Sequence, residues 1–203
     1  MKRTLALCIT LFVAAVLPGA VRAADNAKSA PVDSLSLLER AVARDSSNFD
    51  NLYHLGVMYL DRDRPSEAIK VFGKATKLRP DDQRATVNLG VAFDALGQPA
   101  QAQEQYRNAL KVAPRDSVAK CRLASSLYAQ GKYSEAMGML REVIQEKPRS
   151  YCAYFTLGVA FADAGIYRDA IRMWQQVLRI APTSPEAVSA KESIEVLQKF
   201  VQP

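Results

Sequence analysis

The chain carries a single histidine, His54, in 203 residues. That rules out a multi-histidine metal site and argues against a histidine-based triad. Its nine glycines are scattered and form no phosphate-cradling loop. Asp61 and Asp63 are a close pair of carboxylates, but they stand beside Arg62 in a polar stretch that reads as a solvated helix end. No low-complexity tract is present, and tryptophan occurs once. No nucleophile, base and orienting group fall into a usable set, so the expectation is a non-enzymatic chain with no cofactor and no metal.

The one long apolar run is N-terminal. Met1-Lys2-Arg3 is basic, Thr4 to Leu17 is uncharged and mostly apolar, Pro18-Gly19 breaks the run, and Val21-Arg22-Ala23 sets small residues before Ala24. As a helix the run would rise only about 20 Å, short of a hydrocarbon core of roughly 30 Å. Residues 1–23 are therefore expected to be a signal peptide. Cys8 lies inside the run, not after it, which argues against a lipoprotein box. The leader holds Lys2, Arg3 and Arg22 and no acid, so cleavage would take the formal charge from +6 to +3. The basic residues that remain are interspersed with acids and form no stripe, so no nucleic acid is expected as a partner. Residues 24–31 are small and polar, end in proline and read as a flexible linker.

Beyond this the chain repeats. Pro80, Pro114, Pro148 and Pro182 are 34 residues apart. The same ruler aligns Leu55, Leu89, Leu123 and Leu157; Gly56, Gly90, Ala124 and Gly158; Tyr59, Phe93, Leu127 and Phe161. It also aligns Ala68, Ala102, Ala136 and Ala170, then Phe72, Tyr106, Leu140 and Trp174. A register without insertions implies that every unit meets its neighbour in one geometry, which describes a stacked solenoid.

Each unit reads as two antiparallel helices. Asn48, Asp82, Asp116, Ser150 and Ser184 recur at the spacing of the repeat and are all N-cap types, so a first helix (A) is expected after each. Gly97, Gly131 and Gly165 can close helix A in the left-handed conformation. A second helix (B) starts at Pro65, Pro99, Tyr133 and Tyr167 and stops before the periodic proline. Residues 32–48, with Asp33 or Ser34 as cap, occupy the place of a helix B that lacks its helix A. Residues 185–203 place Ala187, Ala190, Ile194, Leu197 and Val201 on a narrow stripe. Lys191 and Glu192 stand where other A helices carry leucine and glycine, so a polar, solvating cap is expected there.

These 34-residue units, with Leu-Gly-x-x-Tyr in helix A, Ala-x-x-x-Phe in helix B and a closing proline, resemble the tetratricopeptide repeat (TPR). The first unit matches at Leu52, Leu55, Gly56, Tyr59, Ala68, Phe72, Ala75 and Pro80; later units depart locally at Thr86, Lys120, Val143 and Val177. The resemblance implies an all-α, right-handed α-solenoid of four TPR units, 49–82, 83–116, 117–150 and 151–184. An N-terminal capping helix (32–48) and a C-terminal one (185–203) flank them.

The resemblance also implies a concave groove lined by the second, fifth, sixth, ninth and twelfth places of each helix A. In this sequence its core would be Tyr53, His54 and Val57; Arg84, Val87, Asn88 and Val91; Arg122, Ser125 and Tyr128; Phe155 and Val159. Asp50, Leu60, Asp94, Val118, Thr156 and Ala162 complete the lining. Some family members hold a C-terminal carboxylate with lysine, asparagine and arginine. Here only Asn88 and Arg122 match, since Tyr53 and Val118 replace the lysines, so that clamp is not expected. Cys121 and Cys152 would share the concave side on neighbouring helices. A disulfide between them and two separate thiols are both open, and the expectation is separate thiols with α-carbons more than about 7 Å apart.

The function implied is a scaffold that presents its groove to a protein or peptide partner. A membrane would be met only through partners. Export to a bacterial periplasm and a role in an envelope complex follow from the leader and the family resemblance. The alternative is a self-assembling structural protein, a homo-oligomer joined through its repeat ends or its groove.

Overall fold

The computed structural model describes residues 33–201. The expected signal peptide and linker lie outside the described residues. The described chain forms ten helices: α1 (Ser34–Arg44), α2 (Phe49–Asp61), α3 (Pro65–Leu78), α4 (Gln83–Ala95), α5 (Pro99–Val112), α6 (Ser117–Ala129), α7 (Tyr133–Glu146), α8 (Tyr151–Asp163), α9 (Tyr167–Ile180) and α10 (Pro185–Val201). Helices α2, α4, α6 and α8 are the A helices, and α3, α5, α7 and α9 are their B partners. The result is an all-α solenoid in which each helix touches only elements of its own or an adjacent unit.

The caps set the helix starts. Asn48 accepts from the Asn51 amide at 3.0 Å, Asp82 from Arg84 and Ala85 at 3.0 and 3.1 Å, and Asp116 from Val118 at 2.8 Å. The Ser184 hydroxyl accepts from the Ala187 amide at 3.1 Å, and Asp33 caps α1. Ser150 departs from expectation. It makes no side-chain cap; it is buried, with its hydroxyl 3.2 Å from the Cys152 sulfur. Helix A closes on a left-handed residue in every unit: Gly97, Gly131 and Gly165, and in the first unit Asp63 at φ 54°. An aspartate tolerates that region better than most residues.

Within each unit, A and B meet at one place. A Cβ at Gly56 would lie 2.6 Å from the Phe72 ring, and one at Gly90 would lie 2.5 Å from the Tyr106 ring. Gly158 faces the Trp174 indole in the same way. The third unit solves the contact differently: Ala124 supplies the Cβ, and Leu140 takes the place of the ring. Ala124 and Leu140 are both fully buried. Helix B can thus carry a wide ring only where helix A has no side chain.

Lys120 occupies the place of Leu52 and is 8% exposed. Its ammonium meets Glu142 at 2.9 Å and Glu146 at 3.0 Å on α7. Burial would lower its pKa, but the two carboxylates outweigh burial and raise it. A charge at a core place is tolerated because the long stem carries it to the rim.

The ends differ from the middle. Helix α1 packs on α2 and is tied to the first turn by Asp33, whose carboxylate takes two hydrogen bonds of 2.6 Å from Arg62. That pairing lowers the Asp33 carboxyl to about 2. Helix α10 buries Ala187, Ala190, Ile194 and Leu197 against α9 and α8, and its other side exposes Lys191, Glu192, Glu195 and Lys199 together with Val188, Val196 and Phe200.

Two outcomes test this packing. Gly56→Ala should cost about 1–3 kcal/mol by overpacking, and Phe72→Leu roughly 1–2 kcal/mol through lost volume. The double variant, which copies the third unit, should cost less than their sum in denaturant melts; strict additivity would refute the contact. For Asp33, the folded pKa lies below the unfolded one, so its contribution is present above about pH 4 and lost as pH falls toward 2. The melting-temperature gap between wild type and Asp33→Asn, which retains a capping side chain, should close over that range.

Candidate functional site

Consecutive A helices touch one another along the stack, whereas consecutive B helices do not. The A side is therefore the short, inner side of the curve, and its outward-pointing residues line the concave face. Contacts between successive A helices recur at separations of 31 to 35 residues. Asn88 donates to the Tyr53 hydroxyl at 3.2 Å, Ser126 to Asp94 at 3.2 Å, and Tyr128 to the Ala160 carbonyl at 3.2 Å.

The N-terminal half of this face is charged and aromatic. Tyr53 is half-buried, stacked on Phe49, edge-on to Phe72, and covered by the Arg84 guanidinium 5.2 Å from its centroid. His54 is exposed beside it, and Val57 is half-buried. Arg84 is itself held by Asp82 at 2.7 Å, and Asp50 faces Arg79 at 3.6 Å.

In the middle, Asn88 and Val91 are half-buried, and Arg122 and Ser125 are exposed. Arg122 has no ion-pair partner among the described residues. Val87 corrects its expectation: at 6% exposure it packs with Cys121 in the core and offers a partner almost nothing.

The C-terminal half is apolar. From Tyr151 to Ala162, α8 holds no charged residue. Phe155, Thr156, Val159 and Ala162 are all partly exposed, and Val118 on α6 is 51% exposed. Tyr128 is partly buried and edge-packed on Tyr133 at 4.8 Å.

The cysteines also overturn their expectation. Cys121 and Cys152 form a disulfide, with α-carbons 6.2 Å apart. The separation that had argued for free thiols does not exist, because α6 and α8 approach closely. The Tyr128–Ala160 hydrogen bond clamps the other end of the two helices. Nothing in the residue order measures that distance.

A polar network went unforeseen. Asp94 accepts from the Tyr106 hydroxyl at 2.8 Å and from Ser126, and Gln103 donates to Ser126 at 3.4 Å. Burial raises the Asp94 carboxyl above its ordinary range, against these hydrogen bonds and the nearby Arg122 charge, which pull it down. Burial and the adjacent Asp94 raise the Tyr106 phenol. The available signal was that Tyr106 is the one member of its repeat column with a phenolic hydroxyl. Among the described residues no group of three His, Cys, Asp or Glu could hold a metal ion.

The arrangement is that of a helical-repeat solenoid. Two tetratricopeptide-repeat family profiles match the chain, one at residues 33–83, 59–98 and 87–151, the other at 127–194. The chain belongs to the tetratricopeptide repeat family, whose members are generally protein-interaction scaffolds. No curated protein matches it.

Among solved structures, the chain is 25% identical to YrrB, described as a TPR protein with an unusual peptide-binding site. That match covers 78% of this chain and 81% of YrrB at a TM-score of 0.55. It is 26% identical to pilF of Pseudomonas aeruginosa, over 78% of this chain and 70% of that one, with a TM-score of 0.62. TTC0263, a thermophilic TPR protein of Thermus thermophilus, shares the fold at 18% identity, 79% and 89% coverage and a TM-score of 0.69.

The bridge closes a separation of 31 residues. Replacing both cysteines by serine should therefore cost about 3–4 kcal/mol. Protein purified without reductant should show neither thiol to an alkylating reagent in intact-mass analysis. Two free thiols, or an unchanged melt in the serine variant, would contradict the bridge.

Proposed function

We propose that this chain is a non-enzymatic, exported adaptor whose concave face holds a peptide segment of a partner protein. The observation that carries the reading is the division of that face. An unpaired Arg122, together with Arg84 and Asn88, offers hydrogen-bond donors, and beside them lies the uncharged floor of α8. A segment with acidic residues at one end and aliphatic or aromatic residues at the other is complementary to it. YrrB, with its described peptide-binding site, lends support by likeness.

Export is supported by the basic and apolar N-terminus and by the disulfide, which persists in oxidising compartments. A bacterial periplasm and service in an envelope complex fit both features. No chemistry is assigned to the groove; its work is the presentation of a preformed surface.

The test uses Arg84→Glu with Arg122→Glu, and separately Tyr53→Ala with Phe155→Ala. Each pair should lower partner capture by roughly thirtyfold or more, as expected when about 2 kcal/mol or more of anchoring is lost. Circular dichroism should be unchanged. Undiminished capture by both variants would move the site off the concave face.

A further inference from the structure

We propose that the Cys121–Cys152 bridge is a thiol–disulfide exchange site, opened at the Cys152 sulfur by an external dithiol, and that its opening loosens the concave face between α6 and α8. Position in the repeat is the basis. Cys121 is at the fifth place of α6 and Cys152 at the second place of α8, both on the groove side. With the bridge closed, the α-carbons there are held 6.2 Å apart. With it open, the Tyr128–Ala160 hydrogen bond of 3.2 Å still ties the far ends of the two helices.

The two sulfurs differ in what surrounds them. Cys121 is 4% exposed and packs in the core with Val87, whereas Cys152 is only partly buried. An incoming thiolate therefore reaches Cys152 first. Cys152 also stands in the first turn of α8, where no acidic residue and no side-chain cap offsets the free amides. At this place of the repeat, Asn48, Asp82, Asp116 and Ser184 all accept from first-turn amides. Ser150 does not. It is 8% exposed, and its hydroxyl lies 3.2 Å from the Cys152 sulfur. That contact spans two residues of one turn, so it survives opening of the bridge and can donate to a Cys152 thiolate. The Ser117 carbonyl, 3.7 Å from the same sulfur, favours the protonated thiol instead. The charged residues on the surrounding segments are Lys147 and Arg149 ahead of α8, Arg122 beside Cys121, and Glu186 at the second place of α10. Glu142 and Glu146 on α7 are held by Lys120.

The exchange runs in two steps. One thiolate of the dithiol attacks the Cys152 sulfur; a new bond to Cys152 forms as the Cys121–Cys152 bond breaks, and Cys121 leaves as a thiolate that takes up a proton. The second sulfur of the dithiol, once deprotonated, attacks the first. The dithiol closes into its own disulfide, and Cys152 departs as a thiolate beside the Ser150 hydroxyl. The dithiol is oxidised by two electrons and the bridge reduced by the same two, with the dithiol's protons passing to the cysteines.

The experiment first treats the folded wild-type chain with dithiothreitol in the absence of denaturant, then alkylates free thiols and reads the intact mass. The bridge should open while circular dichroism keeps its helical signal. On opening, amide hydrogen exchange should rise in α6 and α8 and stay unchanged in α2. Single variants then locate the reactive sulfur. Cys121→Ser, which leaves Cys152, should form a mixed disulfide with oxidised glutathione on the order of tenfold faster than Cys152→Ser, which leaves the buried Cys121. Adding Ser150→Ala to Cys121→Ser should move the onset of ultraviolet thiolate absorbance to higher pH. A bridge that yields only as the helical signal is lost would overturn the proposal. So would single variants that react at equal rates, thiolate absorbance indifferent to Ser150, or amide exchange unchanged by opening. None of these measurements needs a groove partner, so the exchange and groove capture fail separately.

Discussion

One close contact governs this molecule: the place where the backbone of helix A lies directly on a wide side chain of helix B. With glycine at 56, 90 and 158, the rings of Phe72, Tyr106 and Trp174 enter the space a Cβ would fill. That contact fixes the distance and angle between the two helices of a unit. It recurs with the 34-residue register, while the curvature of the stack, with its concave side, comes from the direct contacts between successive A helices.

The concave surface is built by A helices close enough to bond directly, through Tyr53 and Asn88, Asp94 and Ser126, Tyr128 and Ala160, and the Cys121–Cys152 bridge. Such ties hold successive A helices together, and a surface held before it meets a partner would lose less entropy on binding.

Much of this was legible in the residue order, because periodicity is a one-dimensional signal of a nearly one-dimensional fold. The prolines, glycines and cap residues mark helix ends by local chemistry, and Gly56 with Phe72 announces its contact by size. The pairing of Ala124 with Leu140 is the same rule read in reverse. What stayed hidden depends on distances between units. The approach of α6 to α8 decided the disulfide, and the depth of Val87 removed it from the groove. Ser150 was misjudged because its hydroxyl meets the Cys152 sulfur, a neighbour that α8 brings round within its own first turn. Val188, Val196 and Phe200 fall outside the buried stripe of α10 and stand exposed among Lys191, Glu192, Glu195 and Lys199.

Which face meets the partner decides the central claim. The direct measurement is site-specific photocrosslinking in living cells, with the crosslinker placed at Val91, Ser125 or Phe155 on the concave face, or at Lys74 or Gln175 on exposed parts of the B helices. Discrete adducts of the same partner mass from the three concave positions, and none from the B-helix positions, are the expected result. Adducts from Lys74 or Gln175 with silence at all three concave positions would contradict it.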